Sequence, residues 1–401
     1  MLVSALAIFV SGPGQTYSVS IFVDSLISDL GLSRSMVAGL YTAGSLTAGA
    51  AVIFIGRLLD RYGARIMLTA VCILFGFAAI WMSSVDSALE LYIGFALIRA
   101  LGQGSLSLIP TTLIALWFVR LRGRATAIGA VGGGISAAVF PILIHHLIAQ
   151  EGWRTAWLAL AFVIWAVLLL PAVLLVRKSP EAVGLRPDGE SAVQAEQVDG
   201  IKTHFPREFN MSLGEALRTR AFWLLLFAGS AQPFIITALT FHHVSLLATK
   251  GVPSVVAASV LSVAAAMQIL GTFAAGFMAD RFSNRHLLAL GQSLLVATML
   301  WTFLISSTWH AFVYGAMIGI CSGFLITTLV VLWPNYYGRL HLGSIRGTAT
   351  ASMVVFAALG PLPFGWIFDL TGSYSSAILV FLALPVACAI AALLAHPPRS
   401  N

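Results

Sequence analysis

GRLLDRYGAR, Gly56 to Arg65, returns 220 residues later as GFMADRFSNR, Gly276 to Arg285. In each copy a glycine stands four residues before an Asp-Arg pair, and an arginine stands five residues after the Asp. The positions are Gly56, Asp60, Arg61 and Arg65, then Gly276, Asp280, Arg281 and Arg285. Both copies separate long charge-free runs, so each reads as a tight charged turn between two membrane helices. The spacing divides the chain into two related halves, and duplicated halves in a very apolar chain point to a transporter.

Composition agrees. The 401 residues are 59% hydrophobic and 9% charged, with a mean hydropathy of +0.94, whereas a soluble domain carries about 25% charged residues. The charge-free runs cover residues 1–23, 35–56, 66–85, 125–150 and 155–176, with 91–119 added once Arg99 is admitted. In the second half they cover 221–249, 251–279, 347–368 and 370–398, and 286–338 is long enough for two crossings at about 20 residues each. The expectation is an all-α membrane protein with twelve transmembrane helices in two six-helix pseudo-symmetric bundles. Residues 1–177 form the first bundle and 220–401 the second. Between them, 178–219 hold seven of the 15 acidic residues and three prolines, the mark of a solvated cytoplasmic loop. Ser212 and Glu215 have the spacing of a capping box ahead of span seven.

Of the 22 Lys and Arg residues, all but Arg34, Arg154, Lys250 and Arg99 fall on the cytoplasmic side if Met1 starts there. That asymmetry places both termini in the cytoplasm and accounts for the net charge of +7 without a nucleic-acid partner. The N-terminal run reads as a first span rather than a signal peptide. Almost no tail precedes it, which leaves room for a start upstream of Met1. Cys72, Cys321 and Cys388 sit in predicted spans at no metal-ligand spacing and read as small apolar residues.

The duplication extends further. RGRATA (Arg122 to Ala127) pairs with RGTATA (Arg346 to Ala351), and Trp117 with Trp333 at the close of the preceding spans. The doubled turn, twelve spans and central loop resemble the major facilitator superfamily over the whole chain. GPGQTYSVSIFVDSLISDLGLSR, WFVRLRGRATAIG and WPNYYGRLHLGSIRG resemble its bacterial monocarboxylate and oxalate–formate branch. The resemblance implies a bacterial inner-membrane location and a gating role for the doubled turns, which latch the halves in one conformation and release them in the other. Physics alone lets each Asp cap a neighbouring helix N-terminus and lets the arginines anchor at headgroups or simply set topology.

Arg99 is the only Lys or Arg inside a predicted span, and burying it costs at least about 2.5–3.5 kcal/mol, so it must face a cavity or a partner. LIRALGQG (Leu97 to Gly104) resembles the family's fourth-helix motif, which implies proton coupling or anion attraction at the arginine. The plainer reading is a structural Arg bonded to carbonyls of a kinked first helix. Gln103 follows four residues on, on the same helix face. Gly12, Pro13 and Gly14 break the first helix ahead of Gln15, Thr16 and Tyr17, which either line a substrate wall or mark a packing kink. Gln232 and Gln268 are mid-span amides that could bind a carboxylate or join helices. Of the pairs His145-His146 and His242-His243, His242 is the better candidate for a coupling proton. Glycines 129 and 132–134 pack span five closely.

Spans eight (251–279) and eleven (347–368) hold no Lys or Arg, which disfavours a dianion such as oxalate. The expected activity is proton-coupled uptake of a small organic anion of monocarboxylate type by alternating access. The alternative is an exporter or antiporter of an amphipathic or neutral solute. HExxH, GxSxG, Walker A sequences and paired intramembrane carboxylates are all missing, so no enzyme, cofactor or metal site is expected. The chain is expected to act as a monomer, with membrane lipid, a small organic acid and a proton as its partners.

Overall fold

A computed structural model describes residues 1–32, 34–177, 179–185, 187–189 and 210–398. Most of the loop expected over 178–219 lies outside the described residues. Within them the chain is helical, with no strand. Eleven helices are long and apolar enough to cross a membrane: Leu2–Leu30, Gly39–Tyr62, Ala64–Ser83, Ala88–Trp117, Arg122–Leu174, Arg220–Phe241, Ser259–Ala279, Asn284–Leu304, Thr308–Tyr337, Leu342–Phe368 and Tyr374–Leu394. The fifth is 53 residues long and is interrupted at Gly152, whose φ of 79° lies where a side chain would be strained. Counting its two arms as spans five and six gives twelve crossings, six per half.

Each boundary has a local cause. Gly63, at φ 81°, turns span two into span three in a single residue. The second copy of the turn has no such glycine and uses Ser283 as an ordinary extended N-cap. Thr219 caps span seven by accepting from the Phe222 amide, and Ser212 with Glu215 closes the expected capping box on the short helix Leu213–Leu217. The first span is broken by a 3₁₀ turn at Gly12–Gly14. Span seven is broken too, at Gly229 and Ser230.

The chain resolves into two compact units. Unit 1 takes in Met1–Arg120, Ile128–Asn210 and the segment Arg339–Ala351. Unit 2 takes in Leu121–Ala127, Met211–Gly338 and Ser352–Asn401. Unit 1 has an aromatic core in which Phe22 stacks on Trp157 at 4.4 Å, with Phe75, Phe95 and Phe140 fully buried. Unit 2 is held differently. Gly315, Gly319 and Gly323 of span ten face the backbone of the helix Ser254–Ala279, so close that a Cβ on Gly319 would lie 2.1 Å from the Ala264 carbonyl oxygen. Small residues at this spacing let helix backbones approach where lipid supplies no hydrophobic drive for helices to associate. In unit 1, Gly132 does the same against the Ala5 carbonyl at 2.1 Å. The three cysteines are buried and free.

Candidate functional site

Arg99 stands where span four leaves the α-helix for a π-helical stretch, Arg99–Ser105. Single π turns inside α-helices often sit at functional sites because they shift side chains out of register. The arginine is 7% exposed. Its Nε donates to Ser45 Oγ at 3.0 Å, and its Nη1 donates to the Gly14 carbonyl at 3.3 Å and to Thr16 Oγ1 at 3.1 Å. The guanidinium carbon lies 4.9 Å from the centre of the Tyr41 ring, and the Tyr41 hydroxyl donates to the same Thr16 oxygen at 2.8 Å. Every partner is neutral. Among the described residues no carboxylate pairs with Arg99, and its Nη2 has no hydrogen-bond partner.

The broken first helix delivers two of these contacts. A Cβ on Gly14 would lie 2.4 Å from the Ile98 carbonyl and 2.8 Å from Gly102 Cα, so the 3₁₀ turn and the π turn touch backbone to backbone. That approach brings the Gly14 carbonyl within reach of the guanidinium, the contact a purely structural arginine would also make. Gln15 is half-buried and donates to Ser11 Oγ at 3.1 Å rather than to Arg99. Tyr17 OH pairs with Ser136 Oγ at 2.8 Å, and Ser136 Oγ donates to the Phe9 carbonyl, joining the first span to span five. Gln103 is half-buried and makes no side-chain hydrogen bond among the described residues. Thr16 belongs to the polar run expected to line the wall; Tyr41 and Ser45, which complete the arginine's surroundings, carry no charge or motif that marks them in sequence.

The second-half candidates do not form one group. Gln232 is 8% exposed and Gln268 is exposed, and neither makes a side-chain hydrogen bond among the described residues. His242 bonds at both ring nitrogens: Nε2 to the Pro361 carbonyl at 3.0 Å and Nδ1 to Tyr374 OH at 3.2 Å. A carbonyl only accepts, so Nε2 carries the proton. Tyr374 OH can face either Nδ1 or Ser245 Oγ, 3.0 Å away. His243 is the buried member of the pair, 1% exposed, with Nε2 on the Ala257 carbonyl and its ring stacked on Tyr314. His145 and His146 are exposed.

Both turn aspartates cap helices. Asp60 accepts from the Gly343 and Ser344 amides, each at 2.7 Å, and from the Ser344 hydroxyl. Asp280 accepts from the Gly123 amide at 2.7 Å and the Arg124 amide at 3.3 Å, and lies 3.4 Å from Arg124 Nε. Each carboxylate sits on the first turn of a helix, where amides lack partners and the dipole favours negative charge. The motif glycines explain the closeness. A Cβ on Gly56 would lie 2.2 Å from the Gly343 carbonyl, and one on Gly123 would lie 2.2 Å from the Gly276 carbonyl. Of the motif arginines, Arg65 donates to the Val173 carbonyl at the end of span six, and Arg61 lies over the Tyr62 ring. Arg281 is exposed and Arg285 half-buried, and neither makes a side-chain hydrogen bond among the described residues.

This geometry corrects the repeat register. Gly123 matches Gly343, not Gly347: the offset is 220, the same as between Asp60 and Asp280, and the two helices start at Arg122 and Leu342. The RGRATA and RGTATA pairing, offset by 224, is a likeness of letters. In the true register Arg99 corresponds to Gly319, which packs on Ala264, so the arginine has no second-half counterpart, whereas the broken first helix does.

A second correction concerns span eleven. It begins at Leu342, so Arg346 lies inside it, 6% exposed, with Nη1 donating to Thr111 Oγ1 at 2.5 Å and Thr112 Oγ1 at 3.5 Å. Placing the span's start at 347 hid this residue. Thr111 lies 12 residues after Arg99 on span four, roughly 18 Å along the axis at 1.5 Å per residue.

A family model described as Major Facilitator Superfamily matches residues 4–267 and 244–401. The chain belongs to this superfamily. Among known proteins, this superfamily member is 23% identical over 393 residues to the probable sulfoacetate transporter SauU of Cupriavidus necator, covering 95% of this chain and 89% of that one. It is 24% identical over 310 residues to the MFS transporter asaE of Aspergillus flavus, covering 77% of this chain and 64% of that one. Its fold is that of the proton:xylose symporter XylE bound to 6-bromo-6-deoxy-D-glucose, with a TM-score of 0.77 at 16% identity, covering 97% of this chain and 93% of that one. It is a multi-pass membrane protein of a transporter family.

Proposed function

We propose that this superfamily member takes up a small organic monoanion together with a proton, and that Arg99 is the anion's counter-charge. One observation carries the reading: a buried guanidinium whose protein partners are all neutral, with Nη2 uncommitted among the described residues. A carboxylate accepting from Nη2 would neutralise a charge that this half of the protein otherwise leaves bare, and an Arg–carboxylate bond is among the stronger hydrogen bonds available. Gln15, Tyr17 and Gln103 stand next to Arg99 in sequence or on the packed first helix and would shape the site. Of the second-half candidates, His242 is the one whose ring leaves an acceptor, Nδ1, open to a coupling proton when Tyr374 turns its hydroxyl to Ser245.

The name of the SauU relative supports an organic anion; sulfoacetate carries two charges, so the single carboxylate rests on the sequence likeness to the monocarboxylate branch. Arg122 and Arg346 are buried too, near the starts of their helices, but roughly 18 Å of helix separates the threonine partner of Arg346 from Arg99. A two-carbon dianion does not span that distance, so a monoanion remains the better fit. The capped helix starts at Asp60 and Asp280 would act as the latch of alternating access. The chain would sit in the cell membrane as a monomer with both termini cytoplasmic.

The test is uptake of labelled two- to four-carbon monocarboxylates into proteoliposomes with an inside-alkaline proton gradient. Uptake that collapses with the gradient is expected. Gradient-independent uptake would refute proton coupling, and competition by neutral sugars but not by acids would refute the anion reading.

A further inference from the structure

One groove in unit 1 is not used by the transport reading. It lies where the first turn motif meets the end of span six, has a volume of about 700 Å³, and is lined by Tyr62, Arg65, Ile66, Ala70, Ile73 and Arg177 among others. Its two cations sit at one end. Arg65 spends Nε on the Val173 carbonyl, and Arg177 spends Nη1 on the Leu174 and Val176 carbonyls. Neither has a carboxylate partner among the described residues. The nearest acids by sequence are committed elsewhere, Asp60 to the Gly343 and Ser344 amides and Glu181 to Arg339.

From this end the lining turns apolar. Ile66, Ala70 and Ile73 recur at helical spacing along span three, so they form one stripe reaching about 10 Å along the helix at 1.5 Å per residue. Ile66 is 58% exposed and Ile73 37% exposed. Two unneutralised guanidiniums at a span end, above an open apolar stripe, match a phosphate joined to an acyl chain. A free phosphate would use only the arginines, whereas a phospholipid engages them and lays its chain on the stripe beside them.

We propose that this groove holds one anionic phospholipid, its phosphate between Arg65 and Arg177 and an acyl chain along Ile66, Ala70 and Ile73. Bound there, the lipid ties the first turn motif to the end of span six.

The full chain, purified in mild detergent, is mixed with phosphatidylglycerol or phosphatidylcholine, and retained lipid is counted by native mass spectrometry. Wild type is expected to retain one phosphatidylglycerol in preference to phosphatidylcholine. Arg65→Ala with Arg177→Ala should lose about 30-fold of that preference, since each basic side chain near a headgroup contributes roughly fivefold. Because Arg65 also holds a carbonyl, Ala70→Trp serves as a second variant. It keeps both arginines, fills the stripe, and should lose the lipid as well. Equal phosphatidylglycerol retention in wild type and both variants overturns the proposal. So does displacement by millimolar-range glycerol phosphate with Ala70→Trp unaffected, which would mark a phosphate site with no acyl chain.

Discussion

Replacing Arg99 by Met removes the charge and keeps most of the side-chain volume. The structure shows what would be left unpaired. Ser45 Oγ still donates to the Tyr41 carbonyl at 2.8 Å, and Thr16 Oγ1 still accepts from Tyr41 OH at 2.8 Å. Of the three partners, only the Gly14 carbonyl loses a donor that nothing else replaces, at a cost of about 1–3 kcal/mol for a buried unsatisfied group. Against that, removing an intramembrane charge relieves about 2.5–3.5 kcal/mol. The ligand-free variant should therefore be as stable as wild type, or slightly more so. Binding should behave the opposite way. Leaving one partner of a buried charge pair unmatched costs about 3–5 kcal/mol, so Kd rises between about a hundred and a few thousand fold. At 100 times the wild-type Kd, a transported acid stabilises the wild type by about 2.7 kcal/mol. After a roughly thousandfold loss the same concentration gives under about 0.1. Thermal unfolding of both proteins with and without acid reads both quantities at once. A variant that melts well below wild type without acid, yet keeps the full acid-induced shift, would show Arg99 to be structural and refute the reasoning.

Three further outcomes follow from the packing and the caps. Gly319→Leu forces side-chain atoms into the Ala264 carbonyl, where even a Cβ would lie at 2.1 Å; it should cost about 1–3 kcal/mol or more in thermal unfolding, whereas a wild-type melting curve would show that the helices are free to separate. Asp60→Asn leaves one amide acceptor where the carboxylate served two, so hydrogen exchange at Gly343 and Ser344 should speed up about fivefold, for a cap worth about 1 kcal/mol, with Gly123 and Arg124 unchanged. The Glu181 carboxyl is pushed up by burial, but hydrogen bonds from its own backbone and from Ser179, with the Arg339 guanidinium beside it, outweigh this and hold it below the usual carboxylate range. A depressed folded value gives stability that is present at neutral pH and lost as pH falls through that value. The melting difference between wild type and Glu181→Gln should therefore shrink from about pH 5 downward, and a difference that grows in acid would reverse the sign argument.

Part of the candidate site was legible and part was not, for reasons the residues make plain. Arg99 could be found by composition, because one cation in a charge-free run is conspicuous wherever the chain goes. Its surroundings were only partly so: Thr16 stood in the polar run after Gly14, whereas Tyr41 and Ser45 are ordinary residues that become partners only when span two packs on span four. The capping role of Asp60 was foreseeable as chemistry, but its target was not, since 283 residues separate it from Gly343. The repeat register is not legible in sequence because RGRATA and RGTATA look alike. Equivalence is set by which amide meets which carboxylate, and that placed Gly123 opposite Gly343.

Sequence alone determined the class of this protein: a helical chain crossing the membrane about twelve times in two related halves. Lipid is a solvent that rejects unpaired charge and unpaired backbone, so span number is written along the chain in one dimension. Only the tertiary structure decided that the doubled turn is a pair of helix caps seated on glycine contacts. It alone showed that Arg346 lies within a span and that Arg99 keeps an uncommitted nitrogen among neutral partners. Those are distances between residues remote in sequence, and no local pattern encodes them.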